Sequence, residues 1–137
     1  MITQFTQDLK AKNLKVTPQR IAILSEIEAN GHMDVDELYE RIKEFYPSIS
    51  LATIYKNISA LCDANILREI KAPNHKQKYE LACDKHIHVA CEKCGKFEDL
   101  KIDTTKLEKM GSQKSGYKLY DTSAVLIGVC PECAARA

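Results

Sequence analysis

Ten residues, His86 to Gly95 in the order HIHVACEKCG, hold two histidines and two cysteines, and Cys130-Pro131-Glu132-Cys133 repeats the cysteine spacing close to the end of the chain. Two C-x2-C knuckles supply four thiolates, enough to close a tetrahedron around Zn²⁺ with bonds of about 2.3 Å. Zinc with all four positions filled by protein has no room for a substrate. Cys91, Cys94, Cys130 and Cys133 therefore read as a structural zinc site that ties the strand after His88 to the end of the chain and contributes folding energy to a small domain. The competing uses are a dithiol redox pair and unrelated buried cysteines, but a thioredoxin-like C-x-x-C requires no distant second pair. Cys62 lies on an apolar stripe and reads as core. Cys83, beside the histidines, stays open as a ligand, a reactive thiol or neither.

His86 and His88 are two residues apart, so on a strand both imidazoles face one side while the cysteines of the knuckle turn elsewhere. The stretch thus serves two ions. The same alternation also occurs on solvated strand faces, so a second metal site needs further donors.

The elements that must position these groups begin with the totals. At 137 residues the chain has room for one ordinary domain or two small ones, and a very small domain usually needs a metal or disulfide. The opening MITQFTQDLK lacks a secretory apolar region, and the longest apolar run, 124–129, is far below the roughly 18 residues of a membrane span. A cytoplasmic location is expected, where six cysteines point to metal or redox chemistry and not to disulfides. Twenty Lys plus Arg against nineteen Asp plus Glu give no global field for nucleic acid, so any contact with DNA must rest on local patches. Lys10, Lys12, Lys15 and Arg20 form one patch, and Arg68, Lys71, Lys76 and Lys78 another around Pro73-Asn74. Asp34, Asp36, Glu37, Glu40 and Glu44 lie between them.

Helix signals fill the first half. Thr17-Pro18 is an N-cap followed by proline at the first helical position, with Ile21, Ile23, Leu24 and Ile27 as the buried stripe and Asn30-Gly31 as the stop. Asp34 with Glu37 opens a second helix through Leu38, Tyr39, Ile42 and Phe45, ending before Pro47. Ser50 caps a third. Residues 66–71 and 77–81 then read as two strands around the turn Ala72-Pro73-Asn74-His75. Three helices followed by a β-hairpin make a winged helix-turn-helix. Beyond Ala82 the composition shifts to Cys, Gly and β-branched residues, with one polar helix near 104–113. The expected class is α+β: a winged-helix domain over 1–82, a hinge at 81–85 and a zinc-stapled α/β dimerisation domain over 86–137.

In SLATIYKNISALCD, Leu51, Ile54, Ile58, Leu61 and Cys62 share one helical face, while Ala52, Thr53, Lys56, Asn57 and Ser59 share the other and Tyr55 sits at the margin. Small hydrogen-bonding side chains in place of long charged ones suit a face that a DNA major groove approaches closely. A plain surface helix is the alternative. Lys15, Thr17, Arg20, Ala52, Thr53, Tyr55, Lys56 and Asn57 are the candidate DNA-binding residues, with the basic patches and the wing contacting phosphate.

Leu14-Lys-Val-Thr-Pro-Gln-Arg20, Ser50-Leu-Ala-Thr-Ile-Tyr-Lys-Asn57, His86-Ile-His88 and both cysteine knuckles together resemble the ferric uptake regulator family of metal-dependent repressors, over nearly the whole chain. The resemblance implies a winged helix, an α/β dimerisation domain, a four-cysteine zinc and a regulatory metal held by His32, Glu80, His86, His88 and Asp99, bridging the two domains. Three imidazoles and two carboxylates without a thiolate suit Fe²⁺ or Mn²⁺, and roughly five ligands leave a coordination position open to peroxide. Asp at position 99 resembles the peroxide-sensing branch, where the iron-sensing branch more often has Glu. Ile87 and Thr122 stand where some members place ligands of a third metal, so no third site is expected. Lys56 stands where the family usually has Arg and cannot make the same planar two-pronged contact.

The leading expectation is a homodimeric, metal-dependent repressor of an A·T-rich, near-palindromic double-stranded operator. It would sense peroxide through iron-catalysed oxidation of His32 or His86. An iron-responsive repressor of the same family is the alternative. A non-haem iron enzyme is a further one, although no substrate-pocket signature accompanies the donors, and a zinc-stapled interaction module that never touches DNA is the last.

Overall fold

The computed structural model describes residues 2–71, 75–82 and 86–136. In chain order the elements are α1 (Ile2–Ala11), α2 (Pro18–Asn30), β1 (His32–Asp34), α3 (Val35–Ile42), α4 (Leu51–Asp63), β2 (Leu67–Ile70), β3 (Lys78–Leu81), β4 (Ile87–Cys91), β5 (Phe97–Leu100), α5 (Thr105–Ser115), β6 (Val125–Gly128) and α6 (Pro131–Ala135). The chain divides into two compact units, Met1–Glu69 with Lys76–Cys83, and Ile70–His75 with Asp84–Ala137.

Three helices of the first unit start on side-chain caps. Thr17 Oγ1 accepts from the Arg20 amide, Asp34 Oδ1 from the Glu37 amide and Ser50 Oγ from the Thr53 amide, each satisfying a donor that the first turn leaves orphaned. Gly31 ends α2 at φ +83°, a conformation open to glycine, and its amide bonds back to Ile27. Ile23, Leu24 and Ile27 of α2, Leu38 and Ile42 of α3, and Ile54, Ile58 and Leu61 of α4 fill one core with Phe5 and Leu9 of α1. Each fully buried aliphatic side chain contributes about 1.5–3 kcal/mol, so α4 is held by its inner face. The sheet runs β1-β3-β2. This is a winged helix, preceded by a further helix and carrying a third strand.

Several expectations need correction. The sequence reading has three helices before the hairpin, whereas α1 precedes them and β1 joins the wing sheet. α3 ends at Ile42, and Phe45 is 65 % exposed because the chain leaves the helix before reaching it. Leu51, at the first position of α4, is 37 % exposed and lies outside the core cluster. The wing residues Ala72, Pro73 and Asn74, and residues 83–85 of the expected hinge with Cys83, lie outside the described residues.

The second unit is built on a sheet of order β5-β4-β6, with β5 antiparallel and β6 parallel to the central strand. α5 buries none of its side chains, whereas Leu107 and Met110 on it, Tyr117, Tyr120, and Leu126 and Ile127 on β6 are exposed. Among the described residues, no helix is long and apolar enough to cross a membrane.

Candidate metal centres and DNA-reading helix

The zinc cluster is assembled by the sheet. β4 ends at Cys91, paired with Gly128 of β6, and that register delivers Cys130 two residues later. Cys94 and Cys133 follow three residues after each, returned by a tight turn and by α6, which the sequence did not reveal. The four sulfurs lie within 4.8 Å of one another, and Cys94 Sγ is 3.8 Å from Cys130 Sγ. A tetrahedron with Zn–S bonds of about 2.3 Å has edges of about 3.8 Å, so the cluster fits zinc. Backbone amides of Cys94 and Cys130, at 3.5 and 3.3 Å, point at Cys91 Sγ and pull its thiol down to about 6. The Cys130 sulfur and burial push Cys133 up to about 12.

A second donor set lies on the same unit. His86 immediately precedes β4, His88 lies on it, and Asp99 on β5 is the direct cross-strand partner of His88. The two Nε2 atoms are 3.2 Å apart. Asp99 Oδ1 stands 3.3 Å from His88 Nε2 and 3.8 Å from His86 Nε2. Donors bound to one divalent ion at about 2.1 Å stand about 3.0 Å apart at right angles, so three groups converge at metal-ligand spacing. Phe97 stacks on the His88 ring at 5.1 Å and 21°, and His75 tilts against Phe97. His75 is thus half-buried and in ring contact.

On the first unit, β1 and β3 pair His32 directly with Glu80. Glu80 is only 3 % exposed, with Arg68 Nη1 at 3.3 Å from its carboxylate. A carboxylate that deep requires a cationic partner. β1 is three residues long, and its pairing with β3 is what sets His32 beside Glu80. Glu108 takes hydrogen bonds from the hydroxyls of Thr104 and Thr122.

α4 exposes Ala52, Thr53, Tyr55 and Lys56, with Asn57 half-buried. Thr17 and Arg20 lie at the start of α2, with Lys15 exposed just before it. Arg20 Nε donates to Asn57 Oδ1 at 3.0 Å, and Arg20 Nη1 donates to the Lys15 carbonyl at 2.8 Å. In the wing patch, Lys76 pairs with Asp36 of α3, so part of that positive charge is offset by the acidic stretch before α4. Cys62 is half-buried on α4, and burial, then Glu69 and Asp63, push its thiol up to about 11, as befits a core residue.

A winged helix with a polar, exposed face on α4, joined to a four-cysteine cluster and an imidazole–carboxylate set, defines a metal-dependent DNA-binding regulator. The sequence pattern of the Ferric uptake regulator family matches residues 11–126, and the chain belongs to that family. It is a metal-dependent transcriptional regulator and not an enzyme. It is 30 % identical over 127 residues to the peroxide-responsive repressor PerR of Staphylococcus aureus, covering 91 % of this chain and 86 % of that protein. The solved peroxide stress regulator of Campylobacter jejuni matches at TM-score 0.73 and 33 % identity, over 97 % of this chain and 98 % of that one. The Vibrio cholerae ferric uptake regulator matches at TM-score 0.70 and 30 % identity, over 90 % and 98 %.

Proposed function

We propose that the chain is a cytoplasmic, peroxide-sensing repressor in which one Fe²⁺ or Mn²⁺ is held jointly by His32, Glu80, His86, His88 and Asp99, and zinc by Cys91, Cys94, Cys130 and Cys133. The observation that carries the reading is the convergence of His86 Nε2, His88 Nε2 and Asp99 Oδ1, with no thiolate, in a chain whose relatives include a peroxide-responsive repressor. Hard oxygen and borderline nitrogen donors suit Fe²⁺ or Mn²⁺ over a closed thiolate zinc. The winged-helix domain, residues 1–82, and the dimerisation domain, residues 86–137, each contribute donors, so metal binding would fix how a homodimer presents its two α4 helices to an A·T-rich, near-palindromic operator.

Held by these residues, Fe²⁺ would act as a redox catalyst for H₂O₂ beside the imidazoles, any electron it lends being returned by the ring that is oxidised. His32 or His86 would be the net two-electron reductant, one oxygen of H₂O₂ entering a ring C–H bond and the other leaving as water. The modified ring is a poorer donor, the two domains lose their shared anchor, and the operator is released. Asp99 and Glu80 supply negative charge that offsets the cation, and His88, stacked on Phe97, keeps its orientation.

Fe²⁺-loaded protein treated with substoichiometric H₂O₂ tests this. Mass spectrometry of the peptides bearing His32 and His86 should show a gain of one oxygen with loss of operator binding, and Mn²⁺-loaded protein should show neither. Unmodified histidines with DNA binding retained would favour an iron-responsive repressor, a reading supported by the likeness to the Vibrio cholerae ferric uptake regulator.

A further inference from the structure

Both polar atoms of the Asn57 amide are hydrogen-bonded inside the protein. Its Oδ1 accepts from Arg20 Nε at 3.0 Å and its Nδ2 donates to the Thr53 carbonyl at 2.9 Å, one turn back on α4. Arg20 extends the chain of bonds through Nη1 to the Lys15 carbonyl at 2.8 Å, while its own amide caps onto Thr17 Oγ1 at 3.2 Å. Thr53 is engaged too, its hydroxyl 2.9 Å from that of Ser50. One planar guanidinium thus connects the segment before α2, the start of α2 and the outer face of α4. To pair with a base edge, an asparagine presents its amide donor and its acceptor outward together, whereas here bonds within the protein fix the orientation of both atoms and leave one Nδ2–H over.

We propose that Asn57 is a positioning residue that does not read DNA: with Arg20 it braces Lys15 against α4, aiming the Arg20 guanidinium and the Lys15 side chain at the DNA backbone. This deepens the DNA-binding reading and rests on it. The fork geometry explains why arginine stands at position 20, since it bonds two acceptors in one plane with N–H groups to spare, which a lysine ammonium on a flexible stem does not do. Bases are then left to the exposed side chains of α4, and the brace affects every sequence equally.

The test selects duplexes from a random library with full-length, Mn²⁺-loaded protein, and repeats the selection with Asn57→Ala, Arg20→Lys and Lys56→Ala. Affinity for the duplex preferred by the unsubstituted protein is then followed against salt. Asn57→Ala should keep the same base preference at every position, bind about tenfold more weakly and lose up to about one unit of logarithmic salt slope, as for one phosphate contact. Arg20→Lys keeps the charge without the fork and should show comparable weakening with base preferences intact. Lys56→Ala should alter base preference. Far-UV circular dichroism checks that α2 and α4 persist in each variant. A changed base preference in Asn57→Ala would make that residue a reader and overturn the brace, as would full affinity in both Asn57→Ala and Arg20→Lys. If the unsubstituted protein selects no duplex, the DNA-binding reading falls and the brace with it.

Discussion

Cys133→Ser separates what zinc contributes from what packing contributes. Among the described residues of the second unit, Ile70, Ile87 and Ala90 are the buried aliphatic side chains, and α5 adds none. Burying two isoleucines is worth about 3–6 kcal/mol in total, whereas four-ligand zinc sites in small domains contribute about 10–16 kcal/mol. The metal therefore dominates, and serine, close to cysteine in shape but without a thiolate, removes one corner of a cluster in which Cys94 Sγ and Cys130 Sγ stand 3.8 Å apart. Even an outer partner of a metal ligand costs about 10–100-fold in affinity when lost, so an inner ligand costs more. Native mass spectrometry should show the zinc lost. Hydrogen exchange should then show the Glu92 amide, bonded to Gly128 at 2.8 Å, losing protection by at least about 10³-fold, which corresponds to about 4 kcal/mol. Amides of Ile58 and Leu61 in α4 should keep theirs, because that core contains no metal donor. A zinc-free variant in which β4 and β6 stay as protected as before would refute the reasoning.

Other expectations can be checked with simple variants. The Cys62 thiol, raised to about 11 from 9.0, stays protonated in the fold over a range where the unfolded chain has released its proton, so ΔG of unfolding falls as pH rises from about 9 to about 11. Urea titrations across that range should show a shallower loss in Cys62→Ala than in the unsubstituted protein. Phe97→Ala removes the ring stacked on His88 and should weaken Mn²⁺ binding about tenfold, in the range of other outer partners of metal ligands, by electron paramagnetic resonance titration, while zinc content stays unchanged. Asp34→Ala deletes the 2.8 Å cap on α3 and should cost about 1 kcal/mol in chemical denaturation.

What could be read from the sequence was whatever is encoded locally. The caps at Thr17, Asp34 and Ser50 depend on residues three apart, and each makes the expected bond. The cysteine knuckles and His86-x-His88 announce themselves by donor type and short spacing. β1 did not, because three residues carry no periodicity and their strand geometry comes from pairing with β3 some 46 residues later. α1 carried one usable signal, Phe5 and Leu9 four apart and both buried, amid polar residues that hide the stripe. Phe45 fits a helical period on paper, yet the chain turns out of α3 at Ile42. Asn57 was legible as a polar residue on the outer face of α4, but its commitment to Arg20, 37 residues earlier, exists only in the folded unit.

In the proposed function one ion takes donors from both halves of the chain. Anomalous diffraction at the manganese edge, on crystals of Mn²⁺-loaded protein, tests this most directly. The prediction is one strong peak bonded by His32 and Glu80 together with His86, His88 and Asp99. A peak ligated by His86, His88 and Asp99 alone, with Glu80 still held by Arg68 and His32 turned away, would contradict it.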